Sequence, residues 1–192
     1  MSMTKNIMIV GVGGQGTLLA SRILGNAVIS EGYDVKVSEV HGMSQRGGSV
    51  VTYVKYGEKV FSPIIDKGEA DIILAFERLE AARALPYLKK GGKIILNDRA
   101  IAPMPVITGA AEYPQNIVDE LSEKADVIAI DALSLSLEAG SSKAVNVVLI
   151  GVLARSSDIP KEVWIETIKN TVPQKFLELN LKAFELGYAC GC

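Results

Sequence analysis

Six residues near the N-terminus have the types and spacing of an anion-binding turn. They are Gly11-Val12-Gly13-Gly14-Gln15-Gly16, and they follow the apolar run Ile7–Val10. A strand that leads through such a turn into a helix presents backbone N–H groups to a phosphate. Glu39, at the end of the next predicted strand, is placed where a carboxylate binds a ribose hydroxyl, so the spacing favours NAD. Two features of the turn weaken the NAD assignment. One is the additional glycine, Gly14, and the other is Gln15, whose side-chain amide we expect to reach into the site. The alternative is a tight turn without a ligand.

A second polar stretch, His41-Gly42-Met43-Ser44-Gln45-Arg46-Gly47-Gly48, leaves the carboxyl end of the predicted second strand. In a doubly wound sheet this end lies at the same edge as the glycine loop. Arg46 has the donors to bind a carboxylate or phosphate, and His41 could transfer a proton or donate a hydrogen bond. We therefore take both as catalytic candidates without assigning a step. The alternative is a structured loop whose polar groups bind one another and a neighbouring subunit.

A third candidate, Asn146, lies in the otherwise apolar stretch Lys143–Gly151. A buried amide without a partner costs about 1–3 kcal/mol, so Asn146 must find hydrogen bonds. Three roles for the Asn146 side chain remain open: it could cap the glycine-loop edge, bind a ligand or form a hydrogen bond within the protein core.

Other chemistry has little support in the sequence. There is no Gly-x-Ser-x-Gly turn for a serine hydrolase, and no metal-ligand spacing joins Asp66, Asp98 and Asp131. Glu77, Arg78 and Glu80 are expected on a solvated helix start. The two cysteines, Cys190 and Cys192, are interpreted as a mobile reduced tail; as half of a metal site they would need ligands from another chain.

Composition is that of an ordinary globular domain. The 192 residues carry a net charge of −2, with 48% hydrophobic and 22% charged residues. This balance gives no reason to expect nucleic acid or a membrane surface as a partner. The first predicted strand begins at Asn6, so we expect no signal peptide and a cytoplasmic protein.

Apolar strands alternating with helices predict one α/β domain over residues 1–192, Rossmann-like and doubly wound, with a mainly parallel sheet. A β-hairpin insertion is predicted from Ser49–Tyr56, through Gly57-Glu58, to Lys59–Phe61. The C-terminal portion is predicted to be helical. The other predicted strands are Asn6–Val10, Val35–Val40, Ile72–Phe76, Lys93–Asn97 and Val127–Ile130. The predicted helices are Thr17–Ser30, Glu77–Leu88 (ended by Gly91-Gly92), Asn116–Lys124, Ala132–Ala139, Lys143–Arg155, Lys161–Lys169 and Pro173–Leu186, with Ala100–Gly109 irregular.

The glycine loop, the stretch Glu39–Gly48 and the stretch Asn146–Gly151 together resemble the gamma-type domain of the 2-oxoacid:ferredoxin oxidoreductases (pyruvate/ketoisovalerate oxidoreductase gamma-type) over nearly the whole chain. The second stretch is most similar to beta subunits of the indolepyruvate branch. The resemblance implies oxidative decarboxylation of 2-oxoacids, arylpyruvates among them, to acyl-CoA and CO₂. It implies that thiamine diphosphate and [4Fe-4S] clusters lie on a larger alpha subunit, that coenzyme A is the acyl acceptor and that ferredoxin takes the electrons.

Within that assembly the resemblance implies that this chain is inactive alone and helps to enclose a cofactor or substrate. The residues expected to do so are Gly11, Gly13, Gly14, Gln15, Gly16, Ser44, Gln45, Arg46, Gly47 and Asn146, with no metal ligand. Two alternatives stay open: a free-standing NAD-dependent oxidoreductase, and a nucleotide-sensing or scaffold domain.

Overall fold

The computed structural model describes residues 4–40 and 48–190. Its strands are β1 Lys5–Val12, β2 Asp34–Val40, β3 Ser49–Gly57, β4 Ala70–Ala75, β5 Leu88–Asn97 and β6 Asp126–Ile130. Its α-helices are α1 Thr17–Ser30, α2 Arg78–Ala84, α3 Met104–Ile107, α4 Ile117–Ser122, α5 Ala132–Ala139, α6 Val145–Arg155, α7 Lys161–Thr171 and α8 Leu177–Cys190. Short 3-10 helices, at Leu85–Tyr87, Ser142–Ala144 and Gln174–Phe176, precede β5, α6 and α8.

The six strands form one sheet in the order β2-β3-β1-β4-β5-β6. The pairs β1/β4, β4/β5 and β5/β6 are parallel, whereas β3 is antiparallel to both β1 and β2. Because β2 and β1 both oppose β3, they point the same way, and only β3 runs against the other strands. The mainly parallel Rossmann-like sheet predicted from the sequence is confirmed.

The hairpin forms between different strands from those predicted. The β3 strand pairs with β1, where Ile7 lies opposite Val54, and with β2, where Val37 lies opposite the same residue. The predicted return strand Lys59–Phe61 does not form. Instead the Val60 N–H donates to Asp34 Oδ2 at the start of β2. The period-2 alternation that predicted a strand here carries no information about which strand lies beside it.

Helices cover both faces of the sheet, as in a doubly wound fold. Along β1, Ile7 and Ile9 enter the core formed with α1, α5, α6, α7 and α8, whereas Met8 and Val10 enter the core formed with α2 and α4. The helix α6 is enclosed by the first core, and Asn146–Ala154 are all buried. This burial agrees with its nearly continuous apolar sequence. Across the parts of the chain that the structure describes, no helix combines the length and apolarity needed to cross a membrane.

Most predicted boundaries are close to the observed ones, and those of α1 and α5 are identical. Three predictions differ more. The strand predicted from Lys93 begins at Leu88, and Ala100–Gly109, predicted as irregular, contains α3. The predicted helix Glu77–Leu88 ends as an α-helix at Ala84 and tightens into the 3-10 helix at Pro86. Proline lacks the N–H that would continue the α-helical bonding, so the chain leaves the helix there. Gly91 and Gly92, interpreted as the helix stop, instead lie inside β5.

Candidate functional site

The glycine loop joins β1 to α1 at the carboxyl edge of the sheet. Gly14 has φ +98° with open space where a Cβ would lie, so its backbone conformation alone requires glycine. Gly16, the N-cap of α1, has φ +84°, and a Cβ there would lie 2.6 Å from Asn146 Nδ2. Position 14 therefore requires glycine for its backbone conformation alone. Position 16 requires glycine for its backbone conformation and also for the close contact with Asn146.

Gln15 turns inward and bonds to the protein itself. Its Oε1 accepts from the Val12 N–H at 2.6 Å, and its Nε2 donates to the Phe76 carbonyl at 3.0 Å. A Cβ on Gly11 would lie 2.8 Å from that Oε1, so the first glycine of the motif leaves room for Gln15. Both ends of the amide predicted to reach a ligand are thus used within the chain.

Asn97 closes the same crevice from the other side. Its Nδ2 also donates to the Phe76 carbonyl, at 3.1 Å, and its Oδ1 accepts from the Ala132 N–H at 3.2 Å. This crevice lies between β1 and β4, whose following helices pack on opposite faces, which is where open α/β sheets bind ligands. Here two amide side chains occupy it. Hydrogen bonds within the protein therefore close the bottom of this crevice.

Asn146 holds the glycine loop from the side of α6. Its Nδ2 donates to the Gly16 carbonyl at 3.3 Å, and its Oδ1 accepts from the Val147 N–H at 2.9 Å. Of the roles considered from the sequence, the structure places Asn146 against the glycine-loop edge. It bonds the loop that would contact a ligand.

The segment after β2 is attached to the same edge at both ends. Val40 of β2 lies opposite Val51 of β3, and the Gly48 carbonyl accepts from the Gly13 N–H at 2.8 Å. The predicted residues between them lie outside the described part of the chain: His41, Ser44, Gln45, Arg46 and Gly47. Their roles stay predictions. One end of the segment, Gly48, is bonded to the glycine loop, and the other end follows β2 at the same edge of the sheet.

Glu39 does not lie where a dinucleotide site needs its carboxylate. Because β3 separates β2 from β1, Glu39 is two strand spacings, about 10 Å, from the strand that carries the glycine loop. Its Oε1 instead accepts a hydrogen bond from Ser21 of α1 at 3.2 Å. The spacing of the motif matched NAD-binding proteins, but the strand order does not.

Two cavities flank the loop. One of about 330 Å³ has an apolar wall and is lined by Gly13, Gly14, Gly16, Thr17, Leu18, Val50, Val51 and Thr52. The other, of about 450 Å³, is more polar and is lined by Gly14, Gln15, Gly16, Asn97, Arg99, Ile101, Ser142, Lys143 and Val145. Sequence reasoning named neither Arg99, which follows β5, nor Lys143, at the start of the stretch Lys143–Gly151, as a candidate, because only the folded sheet brings the two to one edge.

Two carboxylates expected on a solvated helix start are buried instead. Glu77 and Glu80 are 1% and 5% exposed. Glu77 caps α2 by accepting from the Glu80 N–H, and it also accepts from the Ile101 N–H and the Tyr113 hydroxyl. Burial of the ring, together with the bond to Glu77, raises the pKa of Tyr113 well above its usual value. Glu77 thus secures the segment after β5 at two points, which local sequence pattern could not indicate.

No described part of the chain offers a metal or cluster site. No three His, Cys, Asp or Glu side chains among residues 4–40 and 48–190 are grouped to bind an ion. Cys190 is exposed near the end of α8. A [4Fe-4S] cluster takes four thiolates, and the whole chain has two cysteines, so its residues do not fit such a cluster.

Comparison with known proteins identifies the family. The model of the pyruvate ferredoxin/flavodoxin oxidoreductase family matches residues 6–190. The chain belongs to that family. It is an oxidoreductase subunit, as the resemblance of its motifs predicted. The indolepyruvate oxidoreductase subunit IorB of Thermococcus kodakarensis is 46% identical over 190 residues, which cover 95% of this chain and 93% of that one.

Solved structures show the same fold for this family member. The gamma subunit of a keto/oxoacid ferredoxin oxidoreductase from Geobacter sulfurreducens superposes with a TM-score of 0.73 at 24% identity, covering 97% of this chain and 98% of that chain. The 2-oxoglutarate:ferredoxin oxidoreductase of Magnetococcus marinus superposes with a TM-score of 0.74 at 18% identity. That match covers 98% of this chain but 31% of the other, so there the fold is part of a longer polypeptide.

Proposed function

We propose that this chain is the cluster-free subunit of a ferredoxin-dependent 2-oxoacid oxidoreductase that acts on arylpyruvates such as indolepyruvate. The observation that carries the proposal is the similarity to the IorB subunit along nearly the full length of both chains. The reaction converts an arylpyruvate anion and coenzyme A into an acyl-CoA, CO₂ and a proton. Two electrons pass to two oxidised ferredoxins.

The chemistry of bond cleavage belongs to a larger partner subunit in this proposal. Thiamine diphosphate bound there would supply the electron sink for decarboxylation, and iron–sulfur clusters would accept the electrons. The two cysteines of this chain and the absence of a metal-ligand group in its described residues support that division. This chain would be inactive alone.

The role that remains for this chain is to form one wall of the shared site. Its glycine loop, held by Gln15 and Asn146, faces outward between two cavities at the carboxyl edge. Gly11, Gly13, Gly14 and Gly16 shape that wall, and in this proposal Ser44, Gln45, Arg46 and Gly47 contribute to it. In this role Arg46 binds an anionic group and His41 donates a hydrogen bond.

The test is reconstitution with the large subunit. The chain should co-purify with a longer, cluster-bearing polypeptide, and the complex should reduce ferredoxin only when both an arylpyruvate and coenzyme A are present. Neither subunit alone should do so. Full activity of the large subunit alone, or preference of the complex for a non-aromatic 2-oxoacid, would contradict the proposal.

The free-standing NAD enzyme is the second candidate, motivated by the glycine spacing. The insertion of β3 between β1 and β2 counts against it, because Glu39 lies too far from the loop for the usual ribose contact. Calorimetric titration of the isolated chain with NADH separates the two: tight binding without a partner would favour the NAD enzyme.

A further inference from the structure

A cavity of about 280 Å³ lies at the amino edge of the sheet, at the opposite edge from the glycine loop. Its walls come from the start of β1, the end of β3 and the turns that follow α1 and α6. We call it the amino-edge cavity, and its lining residues include Lys5, Glu31, Tyr33, Tyr56, Glu58 and Asp158. It is therefore separate from both cavities that flank the glycine loop.

The amino-edge cavity has an acidic wall. Three carboxylates line it, from Glu31, Glu58 and Asp158, against one cation, Lys5. None of the three forms an ion pair with a residue that the structure describes. Burial is the main cause of the raised pKa of Tyr56, and the negative charge of Asp158 adds to it. The cavity therefore favours a ligand with a net positive charge.

An organic cation fits this lining better than a metal ion does. Among residues 4–40 and 48–190, no three His, Cys, Asp or Glu side chains are grouped so as to bind one ion. The rings of Tyr33 and Tyr56 line the same cavity, with centroids 5.6 Å apart and planes inclined by 60°. Aromatic faces attract ammonium groups and also contact aliphatic carbon. The lining thus suits an ammonium group attached to a short carbon chain.

A smaller cavity of about 30 Å³ adjoins the amino-edge cavity and shares Lys5, Tyr56 and Asp158 with it. Trp164 and Ser156 also line this small cavity. Trp164 is 0% exposed, and within the described part of the chain neither its Nε1 nor the Ser156 Oγ has a hydrogen-bond partner. A buried donor without an acceptor is unfavourable. The small cavity has the volume of a single hydroxyl or carbonyl oxygen, which would give both groups a partner.

We infer that the amino-edge cavity binds a small organic cation, a primary amine that also carries a hydroxyl or carbonyl oxygen. Its ammonium group lies among the carboxylates of Glu31, Glu58 and Asp158, and its carbon chain contacts the two tyrosine rings. Its oxygen enters the small cavity, accepts from the Trp164 Nε1–H and bonds to the Ser156 hydroxyl. Because the site lies at the opposite edge from the glycine loop, this ligand is additional to the substrates of the proposed reaction, and the inference does not rest on that reaction.

The chain carries a single reporter for the oxygen contact, because Trp164 is its only tryptophan. The experiment titrates the nitrogen-labelled full chain with aminobutanol, whose amine and hydroxyl lie at opposite ends of the molecule, and follows the backbone and indole N–H signals by NMR. Signals from residues around the amino-edge cavity should shift, and the Trp164 indole signal should move downfield as its N–H gains an acceptor. In n-pentylamine a methyl group replaces the hydroxyl, so this probe should bind more weakly and leave the indole signal in place. In n-pentanol a methyl group replaces the amine, so it should not bind.

Three variants test the contacts. Glu31→Gln and Asp158→Asn each remove one charge from an exposed side chain, and each should raise the dissociation constant of aminobutanol about threefold. Ser156→Ala should weaken aminobutanol binding and leave n-pentylamine binding unchanged. Glu112→Gln is the matched control, because it removes the same charge from an exposed residue between α3 and α4, beyond the carboxyl end of β5. It should leave the binding of both amines unchanged.

Three results would overturn the inference. The first is a titration in which no signal around the amino-edge cavity shifts. The second is an equal affinity for aminobutanol in Glu31→Gln, Asp158→Asn and Glu112→Gln. The third is an indole signal that stays in place at saturation with aminobutanol, because the ligand oxygen would then not reach Trp164.

Discussion

At the scale of single residues, the glycine motif meets several separate demands. Gly11 makes room for Gln15, Gly16 makes room for Asn146, and Gly14 adopts a backbone conformation that side chains disfavour. A dinucleotide-binding loop uses the same spacing to admit a pyrophosphate. Sequence alone cannot separate these cases, because a close neighbour supplied by the protein and one supplied by a ligand both require glycine.

Alanine at Gly16 and at Gly14 should therefore have different costs. Gly14→Ala should lower the free energy of unfolding by about 1 kcal/mol, the cost of a positive φ for alanine. Gly16→Ala should lower it by about 3 kcal/mol, because the new Cβ would also lie 2.6 Å from Asn146 Nδ2. Urea unfolding of the two variants measures the difference. Equal losses would mean that the Asn146 contact is not close.

Tyr56 makes the free energy of unfolding pH-dependent in the alkaline range. Burial of its ring, and then the nearby Tyr33, Asp158 and Asp71, raise its pKa to about 12 from a usual value of 10.0. The unfolded chain loses this proton first, so the stabilisation is complete below pH 10 and disappears as the pH rises toward 12. Tyr56→Phe should flatten that fall in the unfolding free energy. An unchanged slope would show that Tyr56 ionises as readily in the folded protein.

At the scale of elements, α6 and α8 approach each other through glycine. A Cβ on Gly187 would overlap the Val148 carbonyl, and one on Gly151 would lie 2.7 Å from the Tyr188 nitrogen. Small residues at both contact points allow the helix backbones to touch. The distance between α8 and α6 therefore depends on glycine, which has no side chain, at both contact points.

Gly187→Ala should push α8 away from α6 and cost about 3 kcal/mol of unfolding free energy. Gly25→Ala, in the middle of α1 with open space around the new Cβ, is the control and should raise stability by up to about 1 kcal/mol. Thermal and urea unfolding of both variants test this. A Gly187→Ala protein as stable as wild type would contradict the close helix contact.

The elements also show how far sequence reasoning reached. Apolar runs located most strands, and helical spacing located α1 and α5 with their observed ends. The position of β3 between β2 and β1 was missed, because hydrogen-bonded neighbours depend on long-range packing rather than on local pattern. That position in turn decided the interpretation of Glu39. The observed strand order therefore counts against the NAD alternative that the glycine spacing had left open.

At the scale of the whole molecule, burial is distributed unevenly. Residues Asn146–Ala154 of α6 are all buried, whereas most of residues 98–116 are exposed and α3 there has no buried residue. Hydrogen exchange should therefore be slowest in α6, near the limit set by global unfolding, and fast in α3. Mass spectrometry of exchanged peptides measures both. Comparable protection in the two helices would contradict this distribution.

The position of the glycine loop was predictable from the sequence, whereas the basic residues beside it were not. The motif placed the glycine loop at the carboxyl edge, and Asn146 was found because an amide in an apolar helix needs partners. Arg99 and Lys143 come from distant parts of the chain and follow no spacing rule, so only the folded sheet brings them together. Gln15 was recognised as unusual, but its inward orientation depends on the Phe76 carbonyl of another strand end.

The inward orientation of Gln15 also bears on how the enzyme is made. Since protein atoms already fill the crevice and hold the loop, the loop needs no bound ligand to take its shape. The chain can therefore fold with its glycine loop already shaped, so the formation of this loop does not depend on the supply of a small molecule.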